Sequence, residues 1–446
     1  MAAAPSPDTI FAQASGIGRA GVAVWRLSGP EAGAALRHLT GRALPPPRQA
    51  RLAVLADAGG QPLDRGLVLW FPAPASFTGE DVVELHSHGG RAVAAAITEA
   101  LLGQGLRPAE AGEFSRRAFA HGKLDLTQAE AIADLTAAET EAQRRQAWRQ
   151  MDGALMRLYE DWRRRLLAAQ AHLEAEIDFA DEDLPAGVGS AARRALGELA
   201  GEMEAHLADG GRGERLRDGL SVAILGAPNV GKSSLLNRIA GRPAAIVSST
   251  AGTTRDVIEV HLDLAGFPVI LADTAGLREV ADAVEAEGVR RAQARAGSAD
   301  LRLVVLDGQA LPALDATSLA LLGEGSLAVV NKRDLAGGDW PETIGGQPVL
   351  AVSAATGEGI DGLLVALAGQ AAAILAGGEA PALTRARHRL ALAEATQALR
   401  QGQQEPLPEL AAEDVRVAAR AVGRITGRVD VEEMLDVIFR DFCIGK

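Results

Sequence analysis

The stretch Gly226-Ala227-Pro228-Asn229-Val230-Gly231-Lys232-Ser233 decides the fold of the central part of the chain. It fits the P-loop pattern, in which a glycine and four variable residues precede Gly-Lys-Ser. The apolar run 220–225 before it predicts a strand, and residues 234–239 after it predict a helix. A glycine-rich loop between a strand and a helix N-terminus turns backbone N–H groups toward phosphate oxygens. We therefore expect Lys232 to reach the β- and γ-phosphates of a nucleotide and Ser233 to bind Mg²⁺.

The regions around this loop predict a multidomain α+β protein. From residue 220 to about residue 370, strands alternate with helices, which is typical of a doubly wound parallel sheet. Long amphipathic helices are predicted on both sides of it, so this α/β domain interrupts a helical domain. The predicted domains are an N-terminal α+β domain at 1–122, the first half of the helical domain at 123–218, the α/β domain at 219–370 and the second helical half at 371–446.

Composition limits the classes of partner and compartment. The chain has 446 residues and a formal net charge of −13, so binding of nucleic acid over a broad basic surface is excluded. A local patch remains possible, and the arginines between 144 and 165 are its best candidate for contact with RNA phosphates. The chain has one cysteine and its first residues lack the pattern of a signal peptide, so we expect a cytoplasmic protein that contacts no membrane.

Two short segments after the P-loop predict which base is bound. Asn331-Lys332-Arg333-Asp334 follows an apolar run and resembles the guanine-specificity motif of regulatory GTPases. The carboxylate of Asp334 can accept hydrogen bonds from N1–H and the exocyclic amine of guanine, and adenine has no such pair of donors on that edge. Ser353-Ala354-Ala355 resembles the last motif of those proteins, which supports the base through a backbone N–H. Their order and spacing favour GTP over ATP.

Two further segments resemble the parts of a GTPase that sense the γ-phosphate. In Asp273-Thr274-Ala275-Gly276 we expect Asp273 to hold Mg²⁺ through water and the Gly276 N–H to contact the γ-phosphate. The stretch Gly252-Thr253-Thr254-Arg255-Asp256 resembles the first switch, with Thr254 as the second Mg²⁺ ligand. We take the GTP-binding residues to be Asn229, Val230, Gly231, Lys232, Ser233, Ser234, Ser248, Ser249, Thr250, Ala251, Gly252, Thr253, Thr254, Asp273, Thr274, Ala275, Gly276, Asn331, Lys332, Asp334, Ser353, Ala354 and Ala355.

The residue that orients the attacking water is not fixed by these motifs. Many such enzymes carry a glutamine directly after Asp-x-x-Gly, but Leu277 stands there and cannot form a side-chain hydrogen bond. The following segment offers several carboxylates between which spacing alone does not decide. They are Glu279, Asp282, Glu285 and Glu287.

Motifs along nearly the whole chain resemble the bacterial family of tRNA wobble-uridine modification GTPases, called MnmE or TrmE. The chain ends Phe442-Cys443-Ile444-Gly445-Lys446, which is similar to the family's C-terminal signature. Because the similar segments lie at both ends as well as in the centre, the resemblance is more specific than a P-loop alone. The remaining segments are 8–14, 21–29, 76–81, 84–90, 112–119 and 123–130.

The resemblance implies how hydrolysis proceeds without an arginine finger. Asn229 and the stretch Ser248 to Asp256 look like the potassium-activated pattern, in which K⁺ lies beside the β- and γ-phosphates. Carried over by position, the K⁺ ligands are the Asn229 side chain, the carbonyls of Ser248 and Thr250, and Thr253. The family also implies Glu285 as the residue that orients water, which makes Glu285, Lys232 and Gly276 the catalytic set.

The resemblance further implies partners and a second ligand. The family forms a homodimer through its N-terminal domains, which bind formyl-tetrahydrofolate, and the matching positions are Arg26, Glu84, Lys123 and Lys446. With a flavin-dependent partner, MnmG, in a heterotetramer, it adds an aminomethyl-type group, such as carboxymethylaminomethyl, at carbon 5 of uridine 34 of tRNA. The alternative function is a GTP-dependent ribosome-assembly factor, which usually carries a KH-like domain or a second P-loop.

Overall fold

The computed structural model describes residues 8–178, 188–246, 259–273, 297, 299–335, 340–377, 381–429, 432–440, 442 and 445. The chain divides into two compact units. One consists of Met1–Thr136, Gln150–Ala200 and Glu394–Lys446, and the other of Ala137–Arg149 and Gly201–Ala393. The predicted boundaries at residues 122, 218 and 370 stay predictions.

The first unit begins with a mixed α/β fold. Its sheet has six strands in the order β3-β4-β5-β2-β1-β6, antiparallel except for the β1–β6 pair. Short apolar runs predict strands at 21–27 and 66–71, and a helical pattern is predicted at 91–102. The two strands lie within β2 and β4, and the helix is α2. The elements are β1 (Ile10–Gln13), β2 (Ala20–Ser28), α1 (Ala32–Thr40), β3 (Arg51–Ala56), β4 (Pro62–Phe71), β5 (Val82–Gly89), α2 (Arg91–Leu102), β6 (Arg107–Pro108) and α3 (Glu113–Ala120).

Long helices complete the first unit, as the amphipathic pattern predicts. The 25-residue helix α6 packs against α13. Its buried side chains recur at alternating intervals of four and three residues, which places them along one helix face. They are Leu155, Tyr159, Trp162, Leu166, Ala169 and Leu173. The helices that fall wholly or partly in this unit are α4 (Leu126–Ala137), α5 (Glu141–Met151), α6 (Ala154–Asp178), α7 (Val188–Leu207), α12 (Ala386–Gln404), α13 (Pro408–Thr426) and α14 (Glu432–Arg440).

The second unit contains a seven-stranded sheet in the order β12-β13-β11-β10-β7-β9-β8. The five inner strands are parallel, and β7, β10 and β11 are almost entirely buried, as expected for strands covered on both faces. The elements are α8 (Arg212–Asp218), β7 (Leu220–Leu225), α9 (Lys232–Ala240), β8 (Glu259–Leu264), β9 (Phe267–Asp273), β10 (Leu301–Asp307), α10 (Ala316–Leu319), β11 (Ser326–Asn331), β12 (Thr343–Ile344), β13 (Gln347–Ala351) and α11 (Ile360–Leu375).

The two edge strands of this sheet depart from the predicted parallel arrangement. Strand β8 pairs antiparallel with β9, and β12 pairs antiparallel with β13. The β8–β9 connection consists of Ala265 and Gly266, which both have positive φ angles of 53° and 86°. A two-residue turn of this kind can join only antiparallel strands. No helix within the described ranges is long and apolar enough to cross a membrane.

Candidate nucleotide-binding site

The P-loop connects the buried strand β7 to helix α9, as the sequence predicts. Gly226 has φ +142°, and a Cβ there would lie 2.2 Å from the Val305 carbonyl oxygen on β10. Gly231 has φ +96°, and a Cβ there would lie 2.3 Å from Nδ2 of Asn331. Side chains at either position would push the loop away from the sheet, so both glycines are required for its shape.

Lys232 lies folded back over this loop. Its Nζ donates to the carbonyl oxygens of Gly226 at 3.0 Å and Ala227 at 2.8 Å, and the residue is only 8% exposed. Ser233 and Ser234, in the first turn of α9, are exposed. The ammonium group therefore lies against the backbone of the P-loop, which precedes the N-terminus of α9. An anionic phosphate group is favoured at such a helix N-terminus.

Asn331 joins three of the segments that the sequence predicts to form the nucleotide site. Its Nδ2 donates to the carbonyl oxygen of Val230 in the P-loop at 2.8 Å, and its Oδ1 accepts the N–H of Ala354 at 3.0 Å. The residue is 2% exposed, so both bonds are shielded from water. Arg238 of α9 adds a bond from Nε to the Ala354 carbonyl oxygen at 2.9 Å. The P-loop and the segments at 331–334 and 353–355 therefore form one connected structure.

The predicted base-reading carboxylate is held from one side. The Ser353 hydroxyl donates to Oδ1 of Asp334 at 2.5 Å, and the same oxygen of Ser353 accepts the N–H of Thr356 at 3.0 Å. Because the hydroxyl fixes one carboxylate oxygen, the other is directed elsewhere. Asp334 is itself exposed, which leaves that oxygen accessible to a ligand.

Sequence reasoning missed two residues of this region, Ser318 and Asp307. The Ser318 hydroxyl accepts the N–H of Ala227 in the P-loop at 3.1 Å, and the N–H of Ser318 is capped by Asp315 at 2.6 Å. Asp307, at the end of β10, forms an ion pair with Lys332 at 2.6 Å. Neither residue belongs to the motifs recognised in the sequence. Asp307 ends the parallel strand β10 and Ser318 lies on the helix that follows it, which is the edge of the sheet where ligands bind.

Several predicted residues lie outside the described ranges. They are Ser248, Ser249, Thr250, Ala251, Gly252, Thr253, Thr254, Thr274, Ala275, Gly276 and Glu285. For Asp273 the backbone is described: it ends β9, opposite Ile224 of β7, so it lies near the start of the P-loop. Asn229, the remaining predicted K⁺ ligand, is exposed and has φ +63°, a conformation that asparagine tolerates better than most residues.

The residues predicted to bind folate lie in the first unit. Arg26 of β2 is directly opposite Glu84 of β5, and its Nη2 donates to Oε1 of Glu84 at 3.0 Å. The Phe77 ring lies 5.4 Å from the Arg26 guanidinium, a cation–π contact. Gly79 belongs to the same loop as Phe77, and Lys123 lies beside it. A Cβ on Gly79 would be 3.3 Å from the Lys123 Cε.

Lys446 lies outside the described residues, but its neighbour Gly445 does not. A Cβ on Gly445 would lie 2.8 Å from Cα of Ala14 and 2.9 Å from the Gln13 carbonyl oxygen. Gly445 therefore lies against the end of β1, which pairs with β2, the strand that carries Arg26. The binding roles of Arg26, Glu84, Lys123 and Lys446 stay predictions.

Three of the motifs that resemble the family are joined by an ionic network around the buried Arg117. Arg117 is 6% exposed and bonds Asp8 at 2.8 Å, Glu80 at 3.2 Å and Glu113 at 3.0 Å. Arg107 also bonds Glu113, at 2.7 Å. Burial raises the pKa of Glu113, but the hydrogen bonds from Arg107, the Glu110 N–H and Arg117 outweigh this and hold it below 4.5. These charges join the loop before β5 to α3, so their role is structural.

This network predicts an acid-sensitive N-terminal domain. Because the folded pKa of Glu113 lies below its unfolded value, its stabilisation is complete above about pH 4.5 and is lost as pH falls through the folded pKa. Replacing Glu113 by Gln should lower the free energy of unfolding by about 2–3 kcal/mol at pH 7. Calorimetry of the full chain from pH 7 to pH 3 should show this difference shrinking. The exposed pair Glu413–Arg416 supplies the control Glu413→Gln; a constant difference would contradict the prediction.

The arginines suggested for RNA contact are largely paired with nearby carboxylates. Hydrogen bonds from Arg144 and Arg145 lower the pKa of Glu141 to about 2. Farther along the chain, Arg164 and Arg165 both pair with Asp161. Because each such pair is exposed and weak, a phosphate group could replace the carboxylate at little cost.

The chain is similar to known proteins along nearly its whole length. A family model described as the MnmE helical domain matches residues 126–443, and one described as the GTP-binding protein TrmE N-terminus matches residues 9–123. The tRNA modification GTPase MnmE of Paramagnetospirillum magneticum is 63% identical, over 98% of this chain and 100% of that relative. The same-named protein of Rhodospirillum rubrum is 60% identical, over 98% and 99%. The solved G domain of the T. maritima FeoB iron transporter is 26% identical, and the match covers 34% of this chain and 99% of that domain. Its TM-score of 0.26 is too low to support an argument.

Proposed function

Because this chain belongs to the MnmE family of tRNA modification GTPases, we propose that its GTP hydrolysis drives modification of the wobble uridine of tRNA. The enzyme is a GTPase that acts in tRNA modification, and the observation that carries this is 63% identity across 98% of the chain to a relative of that name. The finer proposal is addition of an aminomethyl-type group, such as carboxymethylaminomethyl, at carbon 5 of uridine 34, in a heterotetramer with the flavin-dependent partner MnmG.

The chemistry of the P-loop region supports GTP and Mg²⁺ as its ligands. Lys232 would neutralise the β- and γ-phosphates, and the exposed hydroxyl of Ser233, with Thr254, would hold Mg²⁺. The anchored carboxylate of Asp334 would read guanine. Glu285 would orient the attacking water, and the Gly276 N–H would contact the γ-phosphate.

A monovalent cation suits the oxygen donors of the residues proposed to bind it. The side chain of the exposed Asn229 offers a neutral amide oxygen, and the carbonyls of Ser248 and Thr250, together with Thr253, would supply further neutral oxygens. Neutral oxygen donors suit a weakly hydrated ion of single charge. When bound, K⁺ would offset the negative charge that develops between the β- and γ-phosphates, which an arginine does in other GTPases.

A reduced folate fits the charges of the N-terminal domain. Arg26, Lys123 and Lys446 are cations that suit the glutamate carboxylates of a formyl-tetrahydrofolate, and the Glu84 carboxylate suits its pterin N–H donors. The side chains of Arg26 and Glu84 meet in the structure, so a ligand would bind beside this pair or exchange with it. In this proposal two chains pair through their N-terminal domains in the cytoplasm.

Nucleoside analysis of tRNA from a deletion strain tests this proposal. Loss of the C5 substituent on uridine 34, restored by this gene, would support it. Normal uridine 34 together with immature ribosomal subunits would instead support the ribosome-assembly alternative. Complementation with a Lys232→Ala variant, which should not restore the substituent, controls for the need for GTP hydrolysis.

A further inference from the structure

The ion pair between Asp307 and Lys332 lies at the carboxyl end of the parallel sheet. Asp307 is the last residue of β10, and its register partner on β11 is Asn331, the residue directly before Lys332. Nζ of Lys332 lies 2.6 Å from Oδ2 of Asp307, and the two side chains are 26% and 25% exposed. In open α/β sheets, ligands bind in the crevice at this end of the strands.

Asp307 is itself fixed by a second contact. Its Oδ1 accepts the N–H of Gln309 at 3.0 Å, so it caps the short 3-10 helix Gly308–Ala310 that follows the strand. Each carboxylate oxygen thus has its own partner, one on the backbone and one on Lys332. A carboxylate held in this way presents its second oxygen in a defined direction.

Lys332 has an unusual backbone conformation that calls for such support. Its φ is +66°, a left-handed value that is unfavourable for a non-glycine residue. The turn around it is stabilised by the bond from the Leu335 N–H to the Lys332 carbonyl oxygen at 2.9 Å. Strain of this kind persists only where neighbouring contacts over-determine the conformation. The ion pair with Asp307 is one of the contacts that hold Lys332 in place.

We propose that Asp307 is a positioning residue for guanine binding, which acts by holding the side chain of Lys332 beside the base. This rests on the proposed guanine site at Asp334. The ion pair stretches the Lys332 side chain from its loop back to β10, so its methylene groups form an ordered apolar surface two residues before Asp334. The flat face of a purine packs on such a surface, while its edge is read by Asp334.

A conservative variant separates the ion pair from the cap. In Asp307→Asn, Oδ1 can still accept the Gln309 N–H, but an amide N–H₂ then faces the Lys332 ammonium, donor against donor. We expect the Kd of mant-GDP to rise about fivefold, or about 1 kcal/mol. The kcat for GTP should change by less than about twofold because the base is remote from the γ-phosphate. Asp307→Glu, which keeps the charge, should recover most of the affinity.

A double-variant cycle tests whether Asp307 acts through Lys332. If it does, Asp307→Asn added to Lys332→Ala should raise the Kd no further than Lys332→Ala alone. Additive losses, or affinity of Asp307→Asn equal to wild type, would overturn the proposal. The control is Asp361→Asn, which breaks the exposed pair with Arg242 in the same unit and should leave the Kd unchanged.

Inosine diphosphate distinguishes failure of this inference from failure of the guanine site. It lacks the exocyclic amine that Asp334 would recognise. Asp307→Asn should weaken GDP and inosine diphosphate by the same factor, whereas Asp334→Ala should reduce the preference for GDP. If Asp334→Ala leaves that preference intact, the proposed guanine site is wrong. If Asp334→Ala removes it and Asp307→Asn binds as wild type, only the inference about Asp307 is wrong.

Discussion

Replacing Asp334 by Asn is expected to weaken GDP binding by about 10³-fold, or about 4 kcal/mol, and to create affinity for xanthosine diphosphate. Because the Ser353 hydroxyl donates to Oδ1 of Asp334 at 2.5 Å, the Asn carbonyl oxygen should take that position. The amide N–H₂ then faces the base, where it opposes the N–H donors of guanine. Xanthine carries a carbonyl oxygen at carbon 2, which can accept from this amide.

Equilibrium binding of the mant derivatives of both diphosphates checks this exchange. The matched control is Glu358→Gln, since Glu358 forms an exposed ion pair with Arg333 in the neighbouring turn. It should keep the preference for guanine. If Asp334→Asn binds GDP as wild type does and rejects xanthosine diphosphate, the carboxylate does not read the base.

Replacing Glu285 by Ala is expected to lower kcat for GTP by about 10²–10³-fold, within the range for loss of a group that orients or activates a nucleophile. The affinity for GDP should stay unchanged because the predicted contact is with water beside the γ-phosphate. Single-turnover hydrolysis, with the Kd of mant-GDP measured in parallel, separates the two effects.

The neighbouring carboxylates serve as the comparison for this variant. Spacing alone did not distinguish Glu285 from Glu279, Asp282 or Glu287. Alanine at Glu279 or Glu287 should leave turnover within about twofold of wild type. Retained turnover in Glu285→Ala, with loss in one of its neighbours, would transfer the role to that neighbour.

Local pattern was sufficient to predict the elements around the P-loop. The apolar run at 220–225 and the helix after Lys232 are β7 and α9, because a buried parallel strand and a loop of fixed glycine spacing leave a clear local signal. The antiparallel edges were missed because the direction of β8 and β12 depends on the turns that connect them to their neighbours rather than on strand composition.

Contacts between distant segments could not be predicted from pattern. Asn331 was suggested by its motif, but its simultaneous bonds to Val230 and Ala354 depend on the register of β7, β10 and β11. Asp307 belongs to no motif recognised in the sequence. An aspartate at the end of a strand most often caps the next turn, so its position gives no sign of a role in binding. Arg117 lies in the segment 112–119, which only its resemblance to the family singled out, and its partners Asp8 and Glu80 are distant from it in sequence.

The proposed potassium ion, held beside Asn229, would offset the charge that develops during hydrolysis. The most direct test is GTP turnover by the full chain in KCl and in NaCl at equal ionic strength and saturating Mg²⁺. Turnover should be at least about tenfold faster in KCl, since the ion stands in for an arginine finger, and Asn229→Ala should remove the difference. Equal rates in the two salts for the wild-type protein would contradict the claim.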